Sequence, residues 1–183
     1  MFQIPTEENI FRKYDIEKGI LKFALNHPLK VKTIEFRVYF TEYGATEYFE
    51  YINEEDFPTQ SMLKKDSLQY LFVTDSMTVT TNRNFDYIIE KLIKRKDSKL
   101  TNDDLILLNR ADTLIKNRKC ELFDFKLGRT GQIGKAALWK GIPIWVNSQW
   151  EKGLVENIEI IEIDLSSDIP IEKTQIMDYV DVE

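Results

Sequence analysis

The feature that most constrains the fold is the alternation of apolar and polar side chains in KTIEFRVYF, residues 32–40. One side of this segment, if extended, carries only apolar side chains: Ile34, Phe36, Val38 and Phe40. A period of two residues is typical of a β-strand that buries one face. Gly44 then leads into a second run of β-forming residues, so residues 32–52 are predicted to form a β-hairpin.

Similar runs predict strands on both sides of a helical centre. They lie at 19–25, 68–74 and 77–81 before the centre and at 119–127, 141–147 and 154–165 after it. In the centre, apolar residues recur at helical spacing from Phe85 to Ile93, and Thr101 with Asp104 resembles a capping box that opens a second helix. The sequence therefore predicts an α+β fold, a mostly antiparallel sheet of about six to eight strands with two central helices packed on one face.

The length of 183 residues suits a single α+β domain over 1–183, with an acidic C-terminal segment at 166–183 whose order the sequence leaves open. Cys120 is the only cysteine, which favours a reducing compartment. No apolar run reaches the length of a membrane helix, and acids stand where a signal peptide needs basic and apolar residues. A cytoplasmic protein without membrane association is therefore expected.

The negative charge of the chain is concentrated at its C-terminal end. The whole chain has a net charge of −6, and residues 151–183 hold ten acidic residues against two lysines. A negative surface repels nucleic acid and attracts basic proteins. Direct nucleic-acid binding is therefore not expected, and a protein partner with a basic surface is.

A run of tyrosines and acids within the predicted hairpin is the first candidate binding surface. Tyrosine and tryptophan are common at protein interfaces because they bury a large area at a small cost in entropy. The candidate binding residues are Tyr43, Glu47, Tyr48, Glu50 and Tyr51 of the hairpin, together with Trp150. The alternative is that these side chains form an ordinary solvent-facing strand surface and core.

The segment FDFK, residues 123–126, is the one candidate for catalysis. Asp124 and Lys126 would share one face of a strand, which resembles the metal site of the PD-(D/E)xK nucleases, with Asp112 and Glu90 as possible further acids. That resemblance implies a Mg²⁺ ion held by carboxylates and a lysine that orients the attacking water. The alternative is an ordinary exposed Asp–Lys pair on a strand.

Three glycines follow at residues 128, 131 and 134, next to Arg129 and Lys135. The spacing does not match a P-loop or a dinucleotide-binding loop, since Arg129 and Ala136 stand where a glycine and a hydroxyl are needed. Arg129 and Lys135 form a weak candidate anion site, and a solvated turn with flexible glycines is the preferred interpretation. With one histidine and one cysteine, a structural metal site is not expected, and no cofactor is implied outside the nuclease alternative.

From these features we predict a non-enzymatic partner-binding protein. An inhibitor, immunity or anti-defence protein of a bacterium or phage, acting on a basic protein that handles nucleic acid, is the preferred class. The alternatives are an assembly component of a phage or mobile element, and a metal-dependent nuclease that uses Asp124 and Lys126. The oligomeric state stays open.

Overall fold

The computed structural model describes residues 13–52, 60–65, 68–73, 76–81, 105–127, 132–150 and 153–175. These residues form eleven β-strands: β1 (Gly19–Asn26), β2 (Ile34–Thr41), β3 (Thr46–Tyr51), β4 (Gln60–Lys65), β5 (Leu68–Val73), β6 (Ser76–Thr81), β7 (Leu105–Ile115), β8 (Arg118–Leu127), β9 (Ile133–Trp139), β10 (Ile142–Gln149) and β11 (Val155–Asp164). Short 3-10 turns at Glu42–Gly44 and Ile171–Lys173 are the only helical elements in these ranges, and none of the described residues forms a helix long enough to cross a membrane.

All eleven strands belong to one antiparallel sheet in the order β6-β5-β4-β3-β2-β1-β11-β10-β9-β8-β7. Each half of the sheet is a meander in which consecutive strands are neighbours. The two halves join where β1 pairs with β11, with Phe23 opposite Ile160 and Leu25 opposite Ile158. A bulge interrupts that pairing at Ile161, which is half-exposed. The first and last strands described along the chain therefore lie together in the middle of the sheet.

The prediction of an α+β fold with two central helices is wrong. The helix predicted from Thr101 to about Asn117 is instead strand β7, paired over most of its length with β8. The apolar residues of this segment fit both the helical and the strand period over a short window. Pairing with a neighbouring strand then outweighs the small preference of these residues for a helix. The other predicted helix, from Phe85 to Ile93, lies outside the described residues.

Two tight turns explain why β7 with β8 and β9 with β10 form hairpins. Lys116 and Asn117 join β7 to β8, and both have positive φ, at 49° and 61°. Lys140 and Gly141 join β9 to β10 with φ of 52° and 78°. Positive φ at both central residues is the geometry of a type I′ turn, whose twist matches that of the paired strands. The Asn117 and Gly141 positions are the sequence signal for these hairpins.

The other predicted strands agree with the observed ones. The hairpin at 32–52 is β2 and β3, and the segments at 19–25, 119–127, 141–147 and 154–165 fall within or close to β1, β8, β10 and β11. Strands β4 and β9 were not predicted. In β9, Gly134 lies within the strand and not in a turn, and a Cβ there would stand 2.5 Å from the ring of Phe125 and 2.2 Å from the carbonyl oxygen of Asn147. This glycine therefore serves close packing.

Candidate functional site

The sheet has one apolar face across its central strands. The register places these side chains on the same side, and we call this side the apolar face: Leu21, Phe23, Leu25, Ile34, Phe36, Val38, Phe40, Phe49, Ile158 and Ile160. The opposite side, which we call the polar face, carries Lys22, Glu35, Arg37 and Glu162 on the same strands. The alternation that the sequence showed in β2 thus extends across its neighbours.

Part of the apolar face stays accessible on β2 to β5. Five side chains there are only half-buried, and we call them the apolar row: Phe36, Phe49, Tyr51, Met62 and Leu71. Phe36 lies opposite Tyr51, with 6.5 Å between the ring centroids, and stacks on buried Phe23 at 5.0 Å. Phe49, Met62 and Leu71 are directly opposite one another across three strands. The apolar row can therefore offer a continuous non-polar contact surface.

A cluster of buried charged residues adjoins the apolar row. Its Glu47 lies on β3 two residues before Phe49, on the same face of the sheet. The Lys13 ammonium donates hydrogen bonds of 2.7 Å to both carboxylate oxygens of Glu47, and the Tyr14 hydroxyl donates one of 2.6 Å to Oε1. Lys13 is 6% exposed and Glu47 2% exposed. Burying such a pair is tolerated because each charge finds its partner within hydrogen-bonding distance.

Lys64 and Gln69 continue this cluster on β4 and β5. Lys64 lies opposite both Glu47 and Gln69, and Lys64 and Gln69 are nearly fully buried. The Gln69 amide group donates to the sulfur of Met62. The Lys64 ammonium stands 5.4 Å from the centroid of the Phe49 ring. The apolar row therefore ends against buried polar groups, which can orient a ligand that has one polar end.

The chain before β1 positions Lys13 and Tyr14. The backbone amides of both residues donate to the carbonyl of Tyr43, and the amide of Asp15 donates to the carbonyl of Lys140. Residues 13–17 thus lie between the β2–β3 turn and the β9–β10 turn, although two strands, β1 and β11, separate those hairpins in the sheet. The sheet must curve strongly to bring these two turns to the same segment.

On the polar face, Tyr39, Tyr48 and Glu50 form a second cluster. The Tyr39 hydroxyl donates a 2.6 Å hydrogen bond to Oε1 of Glu50, and the two tyrosine rings meet edge to face at 6.2 Å. The Lys173 ammonium donates a 2.6 Å hydrogen bond to Oε2 of Glu50. Lys173 comes from residues 165–175, which we call the C-terminal strap.

The ionisation of these groups follows from their contacts. Burial, together with the hydrogen bond to Glu50, raises the pKa of Tyr39. Burial alone would raise the pKa of Glu50, but hydrogen bonds from Lys173 and Tyr39 outweigh it, so that this pKa is lowered. Burial would lower the pKa of Lys173, and the hydrogen bond to Glu50 reverses this and raises it. Glu50 and Lys173 are therefore both charged at neutral pH.

The structure separates the six binding residues predicted from the sequence. Glu47 and Tyr51 lie on the apolar face, whereas Tyr48 and Glu50 lie on the polar face. Tyr43 lies in the turn between β2 and β3. Trp150 follows β10, which is four strands from β3, or about 19 Å at the usual strand spacing. The sequence did not point to Lys13, Tyr14, Lys64 or Lys173, because only the register and the path of the flanking segments bring them to these clusters.

The residues of the nuclease alternative do not assemble. Asp112 forms a 2.8 Å ion pair with Lys119, whereas Asp124 pairs across strands with Leu108 and Lys135. Asp112 and Leu108 are four positions apart on β7, which is about 13 Å along a strand. Among the described residues no three acidic, histidine or cysteine side chains come close enough to hold a metal ion. Glu90 lies outside the described residues.

Of the two residues predicted to form a weak anion site, the structure describes only Lys135. Lys135 is an exposed residue of β9, opposite Asp124 on one side and Asn147 on the other. Arg129 lies outside the described residues.

Comparison with protein-family models finds no match, and no curated protein sequence matches the chain. Solved structures do share its fold. An uncharacterised conserved protein from Thermus thermophilus has a TM-score of 0.57 at 7% identity, covering 87% of this chain and 86% of that one. MucB has a TM-score of 0.52 at 12% identity, covering 91% of this chain and 60% of the MucB chain.

MucB has also been solved with a bound protein. The Pseudomonas aeruginosa MucA/MucB complex matches with a TM-score of 0.50 at 12% identity, covering 87% of this chain and 58% of that one. The chain thus spans about 60% of the MucB chain. MucB binds a protein partner, MucA, and such structural neighbours are non-enzymatic binding proteins.

These comparisons correct the functional predictions. The assignment to inhibitor, immunity or anti-defence proteins is wrong, as are the phage assembly and nuclease alternatives. The inhibitor class was inferred for an α+β domain, whereas the chain shares its all-β fold with MucB, and the carboxylates of the nuclease alternative do not come together. The predicted cytoplasmic location is also wrong, since proteins of this fold are typically periplasmic or associated with the cell envelope.

Proposed function

We propose that this chain is a non-enzymatic binding protein of the cell envelope, which holds a non-polar part of its ligand against the apolar row. The half-buried side chains of that row carry the proposal, since a broad apolar surface within reach of solvent is typical of a binding site. The shared fold with MucB, a protein that binds MucA, supports a polypeptide as the ligand.

A second candidate ligand is the acyl chain of a lipid or lipoprotein. The apolar row favours it because four of its five members are entirely without oxygen or nitrogen in their side chains, the exception being Tyr51. Polypeptide backbone needs hydrogen-bonding partners when it is buried, whereas an acyl chain needs none. Lys64 beside Phe49 could then face the polar end of the ligand.

A photo-crosslinker at position 62 can distinguish the two ligands. Met62 lies in the middle of the apolar row, so a benzophenone side chain in its place should react with whatever covers the row in cells. Leu29, which is 72% exposed between β1 and β2, is the matched control position. A protein adduct specific to position 62 supports a polypeptide ligand, and a lipid adduct supports the acyl chain. The absence of any adduct specific to position 62 would contradict the proposal.

Met62→Asp is expected to weaken binding of the captured ligand by at least about tenfold, because a carboxylate in a non-polar contact must lose hydration without gaining a partner. The affinity should be measured by titration with the identified ligand, with Leu29→Asp as the control variant. Equal affinities of the two variants would show that the ligand does not lie on the apolar row. Circular dichroism of both variants checks that the sheet remains folded.

A further inference from the structure

On the polar face, two tyrosine rings and a carboxylate surround an ammonium group. We call Tyr39, Tyr48 and Glu50 the tyrosine cage. The Lys173 ammonium lies 4.5 Å from the ring centroid of Tyr48 and 5.4 Å from that of Tyr39, while it donates to the Glu50 carboxylate at 2.6 Å. Two aromatic faces and one carboxylate around a single ammonium group combine cation–π attraction with a charge-assisted hydrogen bond.

The rest of the C-terminal strap is held loosely. Most of its side chains are exposed, including Ile171 at 65%, and only Ile169, Lys173 and Thr174 are half-buried. Its 2.7 Å ion pair between Lys18 and Asp168 lies in solvent, where such pairs contribute little. Hydrogen bonds from Ser167 and Ser166 lower the pKa of Asp164 and fix the turn where the strap begins, not its far end. Within the part of the chain that the structure describes, Lys173 therefore makes the main polar contact between the far end of the strap and the sheet.

We infer that the tyrosine cage is a binding site for a lysine side chain of a polypeptide partner. In this structure Lys173 of the same chain occupies the site. The inference concerns the polar face and does not rest on the ligand of the apolar row. The occupant seen in the structure is itself a lysine carried on a short turn of polypeptide, Ile171–Lys173, which shows that the cage accepts this group with its backbone attached.

The geometry favours lysine over arginine. Oε1 of Glu50 already accepts the Tyr39 hydroxyl and has Arg37 Nη1 at 3.8 Å, so that Oε2 is the oxygen that receives Lys173. A guanidinium group binds carboxylates best through two parallel hydrogen bonds, which would need both oxygens. A compact ammonium group needs one oxygen and can turn its remaining charge toward the two rings.

A ligand of the tyrosine cage must compete with Lys173 of the strap. A side chain tethered to the same chain has an effective concentration of the order of millimolar, so that an isolated lysine competes poorly with Lys173. A partner that contributes further contacts, or several lysines, can displace the strap. The strap therefore limits the tyrosine cage to partners that bind elsewhere as well.

Lys173→Ala should open the cage to a small probe. With Nα-acetyl-lysinamide as the probe, we expect saturable shifts of the Tyr39 and Tyr48 ring resonances, with a Kd of about 1 mM. This affinity should be about twofold tighter than that of the natural chain, because a tethered competitor at an effective concentration of about 1 mM doubles the apparent Kd. Lys173→Ala/Glu50→Gln should lose that gain. Lys173→Gln removes the ammonium group but keeps much of the aliphatic part of the side chain. It is a second variant for this test if alanine disturbs the strap.

Several outcomes would overturn the inference. Nα-acetyl-norleucinamide has nearly the same shape without the charge, so equal binding of this analogue would show that the cage does not recognise the ammonium. Equal affinity of Lys173→Ala and the natural chain for the lysine probe would show that Lys173 does not occupy a ligand site. Binding of vesicles that contain phosphatidylethanolamine, without binding of the lysine probe, would point to a membrane instead of a polypeptide.

Discussion

Glu47→Leu is expected to lower the free energy of unfolding by about 3–5 kcal/mol, because it removes one partner of a buried ion pair. Lys13 and Tyr14 donate three hydrogen bonds to this carboxylate, at 2.6 to 2.7 Å. The Lys13 ammonium, 6% exposed, would lose this charged partner without regaining water. Urea denaturation followed by fluorescence measures the change.

Two further variants test the physical cause. Glu159 forms a 2.7 Å ion pair with Lys116 at the surface, where it is 57% exposed, so Glu159→Leu should cost less than about 1 kcal/mol. Lys13→Met/Glu47→Leu removes both members of the Lys13–Glu47 pair and should recover much of the loss, because neither is then left buried without the other. A loss for Glu47→Leu no larger than that for Glu159→Leu would contradict the importance of burial.

Gly141→Ala is expected to lower the free energy of unfolding by about 2–5 kcal/mol, from about 1–2 kcal/mol of left-handed backbone strain and about 1–3 kcal/mol of overpacking. Gly141 has φ of +78°, and a Cβ there would stand 2.3 Å from the carbonyl oxygen of Lys13. That oxygen belongs to backbone, so the segment 13–17 must move away from the β9–β10 turn. Urea denaturation and amide exchange at Tyr14 and Asp15 measure the effect.

Gly153 provides a matched control for the backbone strain. Its φ is +75°, and a Cβ there would meet only Gln149 Nε2, at 3.9 Å. Gly153→Ala should therefore cost only the strain of the left-handed conformation, about 1–2 kcal/mol, with unchanged exchange at Tyr14. Equal losses for the two alanine variants would show that close contact with Lys13 does not stabilise the fold.

The sequence predicted individual strands well where one face is buried. The alternation in 32–40 predicted β2 because a strand places every second side chain on the same face. It failed for β7 and β9, whose apolar residues form short runs that fit more than one period. The helix predicted at β7 conflicts with pairing to β8, which supplies a ladder of hydrogen bonds that an isolated sequence does not show.

The candidate sites were only partly accessible to sequence reasoning. Tyr48 and Glu50 were predicted to be binding residues, but their contacts also involve Tyr39 from the neighbouring strand and Lys173 from a segment more than a hundred residues away. Glu47 was interpreted as part of a surface, whereas the sheet buries it beside Lys13. Nothing in the residue type of a glutamate reveals whether a lysine will reach it.

The amino-acid sequence alone sets which residues of the central strands face the same way, because the side-chain period of a β-strand is a local property of the backbone. The order of the strands, the curvature that brings two turns to residues 13–17, and the partners of Glu47 and Glu50 depend on the folded chain. Those features depend on contacts between residues far apart in the chain, whose formation is set by the packing of the whole sheet and not by any short pattern.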